Sequence, residues 1–359
     1  MKAGLALIAM IPALFLGHAR IVCAATGYQD IDTPAPHVKL PQRIAMVALA
    51  RAGKRLVAAG VHGVIITSDD GGKIWRQSTV PVDVTLTSIY FQTPAEGWSA
   101  GHYGVVLHTV DGGYNWTLAL TGLDVIKAMQ GVAANMQEMA PDTAATALQT
   151  KVATVFQKGG PDQPFLTVNA CGHGILVAGA KDMAMFTADD GKTWRDWTPN
   201  IINPHFRMIY DSIEQDGKPL LIGEAGLVAF GDPACTKFSA LPSTTMPTLF
   251  GGLSLGPAQF LVYGLNGAVF TTGDDGVTWR AVNIPSEEVI TTGIIFSPGK
   301  LLLGTLSGHI YVSENNAATF ERMAASVPFQ ISALENSANG TVIVAGNGGV
   351  VVLPVDSFH

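Results

Sequence analysis

Charge is scarce in this sequence. Asp, Glu, Lys and Arg make up 14% of 359 residues, and 28 acidic side chains outnumber 21 basic ones for a net charge of -7. The basic residues are scattered, so no stripe exists to neutralise a phosphate backbone, and nucleic acid is excluded as a partner. Low charge combined with 48% hydrophobic residues also excludes a disordered chain. Long apolar runs are missing beyond the first 25 residues, where no segment approaches the ~18 residues needed to cross a bilayer. Cysteine is nearly absent: Cys23, Cys171 and Cys235 are the only three. No histidine, cysteine or acid spacing suits a metal, and no glycine-rich loop suits a phosphate, so neither metal nor cofactor is expected.

The N-terminus has the layout of a secretory signal. Lys2 is followed by an apolar run from Ala3 to Gly17, and Cys23-Ala24-Ala25 closes it with small residues. Cleavage after Ala25 is expected. A membrane anchor fits less well, because Pro12, His18 and Arg20 leave too short a span. A lipid on Cys23 would need a smaller residue than Val22 before it. The exported remainder, 26–359, keeps Cys171 and Cys235. The repeat described below puts one on an inner strand and the other at an outer turn, so they are expected to be too far apart to bridge.

Glycine is abundant, at 40 positions, and much of it is periodic. Trp75, Trp116, Trp194, Phe238, Trp279 and Phe320 follow one another at 41, 78, 44, 41 and 41 residues. Gly60, Gly101, Gly179, Gly223, Gly264, Gly304 and Gly346 each close an apolar run and keep nearly the same step. A unit of about 41 residues built from short β-branched runs and Gly/Asp/Pro turns is a four-stranded propeller blade. Seven units fit between Arg43 and Pro354, which predicts an all-β, seven-bladed propeller. The seventh unit has sequence for three strands only, and residues 28–40 are expected to supply its outer strand and close the ring.

Before the four tryptophans of this series lies a turn of the Asp-box pattern, S/T-x-D-x-G-x-T-W, which is weaker from Ser313 to Phe320 and almost lost from Gly231 to Phe238. Thr187 to Trp194 and Thr272 to Trp279 match it fully, whereas Ser68 to Trp75 and Thr109 to Trp116 depart at one position each. Asp70, Asp111, Asp189 and Asp274 are read as structural, each accepting backbone N–H bonds in its own turn. Trp75, Trp116, Trp194 and Trp279 would pack between sheets.

The stretch from Glu96 to Trp116 (EGWSAGHYGVVLHTVDGGYNW), echoed by Leu56 to Trp75, Leu176 to Trp194 and Leu261 to Trp279, resembles the repeat of the photosystem II stability/assembly factor family. That resemblance implies an exported propeller of the periplasm, or of the thylakoid lumen in a photosynthetic host. It would bind protein and assist a membrane complex without catalysis. Photosynthetic members carry a basic surface patch. Here arginines are few, and Arg76, Arg195 and Arg280 read as a solvated edge.

Binding in a propeller is expected on the face formed by the turns between second and third strands and by the links between blades. The candidates there are His62, His102, Tyr103, Lys181, Asp182 and Asn266, with Asp83, His205, Glu287 and Glu288 in the links. The longest spacing holds extra chain whose apolar residues recur at helical intervals, predicting a helical hairpin over about 123–158. Its methionines, Met129 and Met136 among them, either pack on the propeller or form an adaptable partner groove. The partner is a membrane-complex subunit or another exported protein, and the propeller is expected to be monomeric. The catalytic alternative is a sialidase-like glycoside hydrolase, which needs paired carboxylates and an arginine cluster. Arg43-Ile44 echoes a sialidase motif only faintly, and Arg207, Asp211 and Glu287 are its best candidate residues.

Overall fold

The computed structural model describes residues 29–203, 205–241 and 246–353. The expected signal segment lies outside these residues. Seven antiparallel sheets follow one another along the chain, at 46–77, 86–120, 165–196, 209–240, 249–281, 290–326 and 331–353. Six have four strands in sequential order and the last has three. The first strand of each sheet packs on the first strand of the next, and that of blade seven packs on that of blade one. The chain is thus a closed seven-bladed propeller.

The second strands carry the core. In blade two, Gly97–Gly101 is buried at every position, and blades one, three and four bury all but the first residue of theirs. Such strands are covered on both faces by neighbouring blades, so they read as continuous apolar runs. The glycine ending each run has a steric cause. A Cβ on Gly60, Gly101, Gly179, Gly223, Gly264 or Gly346 would overlap the backbone carbonyl oxygen just before the first strand of the same blade. Blade six shifts the marker. There Thr305, not Gly304, pairs with Ile290 and takes the equivalent place, followed by the same bond from Leu306 N to Val289 O.

Residues 28–40 do not complete blade seven. Tyr28 is outside the described residues. A short helix, α1 (Gln29–Asp32), buries Ile31 in the cluster of Val80, Val82 and Val84. The chain then runs along the edge of blade one, where Ala35 N donates to Val80 O (3.1 Å) and the Gln77 side chain bonds Val38 N and Pro36 O. Pro34 and Pro36 lack the N–H groups that an outer strand would donate. The bonds run to the Gln77 side chain and to Val80 and Asp83 in the link to blade two, which together with Ile31 seat the segment there. The ring closes instead by apolar packing of Met46, Ala58, Val64 and Ile66 against Ala333 and Ala345.

The cysteines also correct the expectation: Cys171 and Cys235 form a disulfide, with Cα atoms 5.5 Å apart. Cys171 ends the first strand of blade three, and Cys235 lies in the last turn of blade four. Both turns emerge on the Asp-box face, where the first turn of one blade meets the last turn of the next. Arg55 makes the same junction between blades one and two, donating to Asp111 O (3.3 Å) and Gly112 O (2.9 Å). An inner strand and an outer turn are not far apart here, because strand ends and turns of adjacent blades come together on this face.

Two helices occupy the long spacing after blade two: α2 (Gly122–Met139) and α3 (Ala144–Gly159). Thr121 and Asp124 start α2 with a reciprocal capping box, and Thr143 caps α3. The hairpin packs over the junction of blades two and three. Val125, Met129, Val152 and Phe156 share one core cluster with Trp98, Phe165 and Met185.

Candidate functional site

The turns between second and third strands share one conformation. His62, Tyr103, Lys181, Ala225 and Asn266 occupy the same place with φ between 50° and 58°. The next residue is also left-handed, and it is glycine in every blade of this group but the third, where Asp182 has φ 68°. Consecutive left-handed residues without glycine mark blade three as strained at this face.

The structure divides the expected site residues among three places. His62, His102 and Tyr103 come together with Asp30 and Asp83 around a hollow of about 250 Å³ between blades one and two. His62 Nδ1 lies 2.8 Å from Asp83 Oδ1. Asn266 stands exposed and apart on blade five. Lys181, Asp182 and Met136 line a cleft beneath the helical hairpin. Met129 is fully buried in the cluster beneath α2, so it packs on the propeller and presents nothing to a partner.

The cleft consists of two adjoining hollows of about 240 and 230 Å³ that share Val152 and Phe206. Met136, Leu148, Ile201 and Ile202 line the first; Lys151, Val155, Phe156 and Lys181 line the second. Asp182 lies buried beside the first, and burial pushes its carboxyl up to about 8 despite a 2.8 Å bond donated by the Asn203 amide. Asp196 is also raised by burial, although the Gln149 amide (2.6 Å) and Thr198 N (3.0 Å) both donate to it. Asn203, Gln149 and Asp196 were not found from sequence. One signal existed for Asn203: it follows Asp182 by 21 residues, the same interval that separates His62 from Asp83. A second histidine–acid contact joins His309 Nδ1 to Glu288 Oε1 at 2.7 Å.

Of the residues considered for catalysis, Asp211 has a structural task. Asp211 on the first strand of blade four accepts from Gly252 N of the next blade at 3.2 Å. Ser88, Thr167 and Thr292 hold the equivalent place and accept from Val168 N, Ser212 N and Leu334 N. Asp211 is therefore one peg in a series joining first strands, and burial pushes its carboxyl up to about 7. In blade five the peg position is Gly251, where a Cβ would overlap the Tyr263 hydroxyl; that hydroxyl accepts from Gly293 N instead. Glu287 is exposed, and Arg207 bonds through its backbone to the Asn203 side chain.

On the opposite face, the four Asp-box carboxylates bond within their own turns. Asp70 Oδ1 accepts from Lys73 N and Ile74 N (both 3.0 Å), Asp111 Oδ1 from Tyr114 N and Asn115 N (both 3.0 Å). Asp189 accepts from Thr193 through hydroxyl and backbone, which together hold its carboxyl down to about 2, and Thr278 serves Asp274 alike. Trp75 and Trp116 donate their indole N–H to Gly72 O and Gly113 O, Trp194 packs edge-on against Trp98, and Trp279 against Phe260. The degenerate turn of blade four keeps the device in shifted form, with Asp232 accepting from Thr236.

Seven radial sheets with these turns define the class as an Asp-box β-propeller. Within that class, residues 37–159 match the family model described as photosynthesis system II assembly factor YCF48, and the chain is a propeller similar to that family. No curated protein sequence matches it. Among solved structures, a YCF48 bound to a D1 peptide is 16% identical, with a TM-score of 0.62 over 88% of this chain and 94% of its own. YCF48 from Cyanidioschyzon merolae is 12% identical, with a TM-score of 0.63 over 90% of this chain and 99% of its own. The WD40 propeller of Doa1 fits comparably (TM-score 0.62, 9% identity, 93% of this chain and 99% of its own), so these likenesses speak to the fold alone.

Proposed function

We propose that this chain is an exported, non-catalytic propeller that docks a protein and so assists assembly or upkeep of a membrane-associated complex. The observation that carries this reading is the apolar cleft under the helical hairpin, on the face where propellers bind, in a chain whose repeats are of the YCF48 type. The similarity to a YCF48 bound to a D1 peptide supports a membrane-complex subunit as the kind of partner. The Cys171–Cys235 disulfide suits an oxidising compartment, in keeping with the N-terminal leader and a periplasmic or lumenal site of action. Residues 26–359 act as one monomeric propeller in this account, with His62, His102, Tyr103 and Asn266 as outlying contacts of the same face.

Deleting the gene in the host tests the reading. Native gels of the membrane fraction should show a complex that accumulates unassembled subunits, restored by the exported chain. Unchanged complexes under all growth conditions would contradict it, as would hydrolysis of a panel of glycosides that depends on Asp211 or Glu287.

A further inference from the structure

The cleft has features that select among occupants. Along α3, Leu148, Lys151, Val155 and Lys158 recur at intervals of three and four, so one stripe of the helix alternates apolar and cationic residues over about 15 Å. Leu148 is 45% exposed and Val155 43%, and Ile202 across the first hollow is 51% exposed, a concentration of large apolar side chains left uncovered. Lys181 reaches the second hollow from the strained turn of blade three. None of Lys151, Lys158 and Lys181 has an ion pair among the described residues. Two such ammonium groups line one apolar cleft, with Lys158 further along the same stripe of α3, against a net charge of -7. Asp182, next to Lys181 in the chain, is kept largely protonated by burial and so does little to cancel them.

Resting on the docking reading above, we propose that this cleft receives an acidic amphipathic helix of the partner. Its apolar face would fill the two hollows, and its carboxylates would meet Lys151, Lys158 and Lys181. A helix suits the site better than an extended segment. The stripe is periodic along a helix axis, and a second helix matches it by ridge-and-groove packing. An extended peptide would bring unpaired backbone N–H and C=O groups to a wall of side chains that offers no open strand edge.

The test uses the full exported chain and two dye-labelled 18-residue helical peptides of Leu and Ala. One carries Glu on its polar face and the other carries Lys at the same positions. Fluorescence anisotropy should show the Glu peptide binding at least tenfold more tightly than the Lys peptide. The exposed-site variant K151E/K181E should reverse that order, with an unchanged melting temperature showing intact folding. Equal affinity for the two peptides, or a preference unmoved by K151E/K181E, overturns the proposal. The exposed variant L148S/V155S should weaken both peptides, and retained affinity would overturn the apolar half of it. Should K151E/K181E lose the Glu peptide's preference for no gain by the Lys peptide, the charge pairing is likewise refuted. Failure here is separable from failure of the docking function: the gene-deletion phenotype reports on the latter without reference to the cleft.

Discussion

Asp182→Asn isolates the consequence of burying an acid beneath the cleft. Asp182 is 3% exposed, and its carboxyl is pushed from 3.8 up to about 8, mainly by loss of hydration. The unfolded chain releases this proton near pH 4, whereas the folded chain holds it to about pH 8. Between those limits the folded state binds more protons, so its stability is greatest below about pH 4 and falls as pH rises toward 8. At pH 7 the deficit approaches about 4 kcal/mol as an upper bound, from roughly three pH units at 1.36 kcal/mol each. Asparagine can still accept the 2.8 Å bond from Asn203, and it has no charge to lose. Urea unfolding at pH 4.5 and pH 7.5 should therefore show D182N near wild type at the lower pH and more stable, by as much as a few kcal/mol, at the higher. Equal destabilisation at both pH values would refute the reasoning, because it would mean that the carboxyl is ionised and needed in the folded state.

Replacing Cys171 and Cys235 by alanine opens a loop with a sequence separation of 64 and should cost about 4 kcal/mol by loop entropy, read as a lower urea midpoint; a midpoint indifferent to reductant would contradict the bond. Gly264→Ala forces a Cβ into the Thr248 carbonyl and should yield little folded protein, whereas Thr305→Gly at the matching place of blade six should fold, as circular dichroism would show. Asp211→Thr restores the hydroxyl peg of blades two, three and six and should hold stability flatter between pH 5 and 8 than wild type, since the raised carboxyl is gone; a loss at every pH would count against the peg. Removing residues 123–158 uncovers Trp98 and Phe165 and should produce aggregation on size-exclusion chromatography.

The repeat was readable because its markers are local. A glycine under a carbonyl and an aspartate closing its own turn need no knowledge of distant chain. The helical hairpin was readable for the same reason, since Val125, Met129, Val152 and Val155 show their period directly. What escaped depends on neighbours far along the chain. Cys171 meets Cys235 only because turns of adjacent blades share a face, and residues 29–40 lie on blade one because Ile31 packs among Val80, Val82 and Val84. The candidate site was half legible: the turns carrying His62, Tyr103 and Lys181 were found by register, but their separation into a histidine hollow and a cleft was not. Asn203 and Gln149 escaped because an isolated amide has no pattern until its buried carboxyl partner is known. The two readings of the methionines divide between residues, Met129 packing in the core and Met136 lining the cleft, because periodicity does not reveal which stripe faces the core.

The central claim is that this face grips another exported or membrane protein. A photocrosslinking amino acid placed at the exposed position Ile202, in intact cells, tests it most directly. The account predicts one dominant adduct, a subunit of a membrane complex, absent when the crosslinker sits at the exposed Val277 on the Asp-box face. The same adducts from both positions, or none from Ile202, would contradict it.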